Sequence, residues 1–216
     1  MRKRNEFTTF LKQMMYQSQK QIPLFPLSSV VLPGGRMKLR IYEPRSLSMV
    51  KEAMKNNAGF ICASLNSKGN TDENTHIHPI GTIVEIVDFD ALNDGMLGIT
   101  VQGARLVRIF NITTDKTNLR RGDIEFLEHN STLQTPEAFP VLVEKLKEVF
   151  EQFPELEALY PKKYYDDASW VCLRWLEILP LEASVKQSLL THQCHHVLTE
   201  YIASLFEKEQ MSKETE

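Results

Sequence analysis

The sequence predicts an α+β chain in which a β-rich stretch precedes a helical one. Two observations carry this expectation. Between residue 22 and about residue 128 the apolar runs are short and bounded by Gly, Pro, Asn and Asp, as strands joined by turns are. After residue 135 the apolar residues recur at helical spacing instead. The chain has 216 residues, 42% of them hydrophobic and 25% charged, and a core of that size needs no metal or disulfide to hold it.

Residues 1–20 carry Arg2, Lys3, Arg4, Lys12 and Lys20 against Glu6, and are expected as a basic N-terminal arm. That arm is either a solvated terminus or a weak contact to an acidic partner. Ile22–Leu27 is the first strand candidate. Its prolines, Pro23 and Pro26, lack the N–H that a ladder needs, so it is expected at a sheet edge, leading into a Pro33-Gly34-Gly35 turn. Met37–Tyr42 is a second strand. Leu47, Val50 and Met54 then mark a helix that Asn56-Asn57 stops. Gly59–Leu65 reads as a buried strand, and 66–76 as a polar loop. Residues 81–89 (GTIVEIVDF) form the clearest strand, Asn93-Asp94-Gly95 supplies a turn suited to positive φ, and 97–110 returns as a long strand. Gly103 inside it marks a bulge or bend. Arg121–Leu127 offers one more strand.

Thr135-Pro136-Glu137 is a helix start, followed by Phe139, Leu142, Val143, Leu146, Val149 and Phe150 at helical spacing. Asp166-Asp167 caps a second helix through Trp170 and Trp175, which Pro180 ends. Leu181, Val185 and Leu189 mark a third helix, and Cys194, Val197, Leu198, Tyr201, Ile202 and Leu205 a fourth. The resulting division is an arm over 1–20, a β unit over 21–130, a helical unit over 131–207 and a disordered tail over 208–216.

Composition narrows the function. A net charge of −3 does not suggest a nucleic-acid binder, and no run is apolar and long enough to span a membrane. Cys62, Cys172 and Cys194 show no CxxC spacing and read as buried free thiols, which fits the cytoplasm. There is no Walker A loop, GxSxG elbow or HExxH, so neither a cofactor nor a catalytic residue is expected. His192 and His196 are spaced to share a metal on a helix, but THQCHH reads as a polar helix face, and no metal is expected. Glu85, Asp88 and Asp90 read as a solvent-facing polar strand edge rather than an acid–base pair. Trp170 and Trp175 read as core anchors.

The opening 22–45 (IPLFPLSSVVLPGGRMKLRIYEPR), then GFICASLN, then GTIVEIVDF and the hairpin ending in VQGARLVRI together resemble the N-terminal domain of Lon proteases over about residues 22–128. The helical half, with DASWVCLRWLEILPLEASVKQSLL, resembles stand-alone bacterial members of that group. Leu106 stands where the family often has arginine, and Arg105 comes one residue early. THQCHH follows the last matching helix where those members often place an acid. The resemblance implies a PUA-like β-barrel followed by a helical subdomain, and a region that engages substrates and supports assembly. The ATPase and Ser–Lys protease modules of Lon proteases are expected to be absent, and enzymatic activity with them. The expected role is non-enzymatic polypeptide binding, as an adaptor in protein quality control, with unfolded polypeptides or a partner protein bound. RNA or small-ligand binding through the barrel is the alternative. Leu24, Phe25, Leu27, Val30, Val31 and Leu32 suit a core, with an apolar groove for unfolded peptide, lined by some of them, as the lesser alternative. The candidate peptide-binding residues are Leu24, Phe25, Leu27, Leu32, Met37 and Tyr42.

Overall fold

A computed structural model describes residues 21–127, 139–191 and 195–213, and the side chains of those residues except 195–196 and 207–213. The expected arm over 1–20, the helix start at Thr135-Pro136-Glu137, His192 and Cys194, and the side chains of His195 and His196 lie outside what is described. Six strands and six helices occur among the described residues. The strands are β1 (Ile22–Leu27), β2 (Arg36–Ile41), β3 (Phe60–Leu65), β4 (Ile77–Ala91), β5 (Leu97–Thr114) and β6 (Arg120–Phe126). The helices are α1 (Pro44–Asn56), α2 (Phe139–Gln152), α3 (Pro154–Glu157), α4 (Ala168–Ile178), α5 (Ala183–Thr191) and α6 (His195–Lys213).

Five strands pair in a ring. β1 lies parallel to β3, and β3–β4, β4–β5, β5–β6 and β6–β1 are antiparallel. The last seam is short, with only Ile22↔Gly122 and Pro23↔Arg121 in register. β2 sits outside the ring, on the first part of β5, from Arg36↔Gln102 to Ile41↔Leu97. The edge position expected of β1 is therefore corrected: β1 lies between β3 and β6. Its prolines are tolerated because each part of the strand is paired on one side only. Residues 22–23 meet β6 and residues 24–27 meet β3, which leaves a free side for a nitrogen without hydrogen.

Local chemistry explains the remaining β elements. Gly95, at φ +78, turns the β4–β5 hairpin, with the Leu92 carbonyl accepting from the Gly95 N–H at 2.9 Å. Gly103 sits at a register shift opposite Val84, where the strand bends. A Cβ there would lie 2.1 Å from the Leu32 carbonyl oxygen, so only glycine lets the 32–35 turn close onto β5. That turn is the expected Pro33-Gly34-Gly35 one, with the Gly35 N–H on the Leu32 carbonyl at 2.8 Å. α1 ends at Asn57, in the left-handed region at φ 47. It buries Met49, Val50 and Ala53 against Phe60, Val84, Ile99 and Leu119. Alternate residues of β3 feed two clusters: Phe60 and Cys62 face α1, while Ile61 and Ala63 join Ile22, Leu24, Val107 and Ile109. Burial pushes the thiol pKa of Cys62 up, and burial pushes that of Cys172 to about 11, so both stay protonated.

The helical unit packs around α4, where every residue from Trp170 to Leu176 is buried. Asp167 caps it as expected, accepting from the Trp170 N–H at 3.1 Å. Trp170 and Trp175 are core anchors, 5% and 3% exposed. α5 departs from its expected face. Leu181, Val185 and Leu189 are only half-buried, and Lys186, Gln187 and Leu190 face inward. Gln187 is drawn in because its side-chain amide pairs with the Ile80 backbone like a neighbouring strand, accepting from its N–H at 3.0 Å and donating to its carbonyl at 2.8 Å. α6 runs through Lys213, into the stretch expected as a tail from residue 208. Glu, Lys, Gln and Met are favourable helix formers, so charge there does not preclude a helix.

Candidate functional site

A cleft of about 780 Å3 opens where the pairing of the barrel is incomplete. One wall is the Leu24–Leu27 half of β1, which has only β3 as a ladder partner. The other is β2 and the start of α1, and β2 has only β5. Both strands line the cleft and no pairing joins them. Phe25 and Leu27 supply apolar surface, the buried Leu39 backs the wall, and Tyr42 stands 66% exposed. Period-2 alternation produces this arrangement. Leu39 and Ile41 turn into the core, while Lys38, Arg40 and Tyr42 turn out.

Four of the six residues expected to bind peptide line the cleft: Leu24, Phe25, Leu27 and Tyr42. Leu24 is 1% exposed and belongs to the barrel core, so it shapes the wall more than it offers surface. Leu32 is not among the lining residues. It is buried in the helical cluster, because the 32–35 turn folds onto α4. Met37 also lies outside the cleft and packs toward α1, its sulfur accepting from the Ser29 hydroxyl at 3.8 Å. Strand parity separates Met37 from Tyr42, and that signal is present in the sequence.

The cleft is lined by cations that sequence reasoning did not single out: Lys38, Arg40, Arg45 and Arg120. Arg40 pairs with Asp94, and Arg45 with Glu43 at 2.5 Å. Arg45 also donates to the Asn118 carbonyl at 3.2 Å, and Arg120 donates from Nε to the Asn74 side-chain oxygen at 3.0 Å. Asn118 holds its place through the β5–β6 turn. There Asp115 accepts from the Thr117 N–H at 2.8 Å, from the Thr117 hydroxyl at 2.6 Å and from the Leu119 N–H at 3.2 Å. Those bonds, the Thr117 hydroxyl first, hold the Asp115 carboxyl at about 2. Arg45 and Arg120 are far apart in sequence, and only the topology brings them to one cleft.

A second hollow of about 400 Å3 lies where the 33–36 turn meets the helical unit, walled by Tyr160, Tyr164 and Trp170. Behind it runs a buried polar clamp. Arg174, fully buried, donates to Glu177 at 2.6 Å and to the Pro33 carbonyl at 3.1 Å, and Glu177 accepts from the Leu32 N–H. Arg174 also lies over the rings of Tyr160 and Trp170, at 5.6 and 5.4 Å. Among the described residues no group of three His, Cys, Asp or Glu side chains gathers to hold a metal, and no helix is long and apolar enough to cross a membrane. Asp88 and Asp90 are solvent-exposed.

The model of the ATP-dependent protease La (LON) substrate-binding domain matches residues 21–193. The chain is 26% identical over 135 residues to Lon protease 1 of Hydrogenovibrio crunogenus, covering 62% of this chain and 16% of that protein. It is 28% identical over 132 residues to the Lon protease of Parabacteroides distasonis, covering 59% and 16%. The match thus spans about a sixth of the length of these relatives. Among solved structures, the crystal structure of a Lon N-terminal domain protein from Xanthomonas campestris superimposes with a TM-score of 0.66 at 29% identity, over 86% of this chain and 98% of that one. The N-terminal domain of the Mycobacterium avium complex Lon protease shares the fold, with a TM-score of 0.56 at 15% identity over 85% and 98%.

Proposed function

The chain belongs to the LON substrate-binding domain family, and on that premise we propose that it binds polypeptides, taking an extended segment into the cleft between β1 and β2. The observation that carries this is the pair of singly bonded strands lining one cleft. A segment laid along β2 gains main-chain hydrogen bonds there, and apolar side chains at every second position reach Phe25 and Leu27. β2 is the better edge, since it has no proline, whereas Pro26 withholds a donor from the β1 side. Folded proteins keep their strand edges paired or covered, so the cleft discriminates in favour of unfolded chains. The module holds its segment without chemistry of its own and acts as an adaptor in protein quality control. The buried thiols of Cys62 and Cys172 suit a cytoplasmic setting.

Fluorescence anisotropy of a labelled unfolded polypeptide tests this, with the same polypeptide folded and a single-stranded RNA as controls. Saturable binding to the unfolded form alone is expected, and Tyr42→Ala weakens it about tenfold, as loss of an exposed aromatic anchor does. Equal binding of folded and unfolded forms would overturn the proposal, as would RNA binding that exceeds both and fades with salt.

A further inference from the structure

We propose that the cleft selects acidic polypeptide segments, and that Arg120 receives the carboxylate of the bound chain. This rests on the cleft being a polypeptide site and names the class of segment it takes. Arg120 and Arg121 are neighbours on β6 with opposite surroundings. Arg121 is fully supplied with acid: its two Nη atoms reach Glu52 at 2.9 and 2.6 Å, and its Nε reaches Asp115 at 3.2 Å. Arg120 lines the cleft and has no ion pair among the described residues. Its Nε rests on the neutral amide of Asn74 at 3.0 Å. The charge that acts on it belongs to Arg45, another cation, and burial first and that repulsion second push its pKa down. Among the described residues the one acid lining the cleft, Glu43, is already engaged by Arg45. On the far wall Lys38 is exposed and likewise has no ion pair among the described residues.

The cleft therefore gathers four cations, of which Arg40 is held by Asp94 and Arg45 by Glu43, while Arg120 and Lys38 have no ion pair among the described residues, with an apolar floor between the walls. A bound carboxylate supplies the charge that the chain gives Arg121 and withholds from Arg120. The planar guanidinium fork suits it, because it can grip both carboxylate oxygens at once. In an extended segment adjacent side chains point to opposite faces. A residue that enters the apolar floor is therefore flanked by residues directed to the cationic rim, and the preferred sequence alternates apolar with acidic.

Anisotropy with the full chain tests this on three labelled peptides of about eight residues, alternating leucine with a single varied residue, Asp, Asn or Lys. The wild type is expected to bind the Asp peptide about tenfold more tightly than the Asn peptide, and the Lys peptide least. That preference shrinks as salt rises. In Arg120→Gln the Asp-to-Asn ratio falls to about one, and Arg120→Lys, which keeps charge and loses the fork, retains about a threefold ratio. The unfolding midpoint of each variant checks that it is folded. Equal affinities of the wild type for Asp and Asn peptides would overturn the acidic preference and leave the cleft as a polypeptide site. A tenfold ratio that survives in Arg120→Gln would overturn the role of Arg120. Failure of all three peptides to bind would overturn both the preference and the site. A single-stranded RNA of similar length that outcompetes the Asp peptide and is lost in Arg120→Gln would reassign the cations to phosphate.

Discussion

The barrel and the helical unit treat their polar groups in opposite ways. In the helical unit the buried charges are consumed internally. Arg174 and Glu177 face each other and grip the 32–35 turn. Gln187 likewise directs its amide at the backbone of Ile80 and docks α5 on β4. In the barrel the polar capacity stays at the surface: half of β1 and all of β2 have one ladder partner each, and Arg120 has no ion pair among the described residues. Unused backbone pairing collects where the fold leaves its own ladder incomplete, and the helical unit works as the clamp that fixes the turn between β1 and β2.

The largest effect expected from breaking this contrast is on the clamp. Arg174→Ala leaves the Glu177 carboxylate buried without its cation, and the chain should lose about 3–5 kcal/mol of stability by urea unfolding. Burial already pushes the Glu177 carboxyl above its ordinary range against the pull of Arg174 and of the Leu32 N–H and Tyr160 hydroxyl, and only the last two remain in the variant. Replacing the pair together, Arg174→Met with Glu177→Leu, should recover most of that loss, because no charge is then stranded. If the single and double variants are equally destabilised, the clamp acts through shape and not through its charges.

A smaller effect belongs to the turn that presents Asn118 and Arg120 to the cleft. Asp115 is held near 2, below its ordinary 3.8. A carboxyl depressed on folding contributes stability that is whole above its unfolded pKa and is lost as pH falls through the folded one. Stability should therefore decline between about pH 4 and pH 2, with Asp115→Asn flattening part of that decline in a pH series of unfolding midpoints. An unchanged slope in the variant would show that the Thr117 and Leu119 bonds do not set the turn.

Much of the fold was legible because its cues are local. Asn93-Asp94-Gly95 marked the hairpin, Gly103 the bend and Asp167 the start of α4, each through the chemistry of one or two residues. What escaped depends on distant partners. β1 looked like an edge strand because its prolines are visible and its neighbours, β3 and β6, are not. Leu181, Val185 and Leu189 marked α5 while Gln187 went unnoticed, because nothing nearby in sequence announces the Ile80 backbone that Gln187 meets. The site was half legible for the same reason. Phe25, Leu27 and Tyr42 could be picked out by their apolar setting. The meeting of Arg45 with Arg120 exists only once the barrel has closed.

Amide hydrogen exchange of the full chain, with and without a saturating unfolded polypeptide, measures the central claim most directly. Strand addition predicts slower exchange along Arg36–Ile41, with α4 from Ala168 to Ile178 unchanged. Slowing around Tyr160 and Trp170 with β2 unchanged would contradict it and move the binding site to the hollow beside the helical unit.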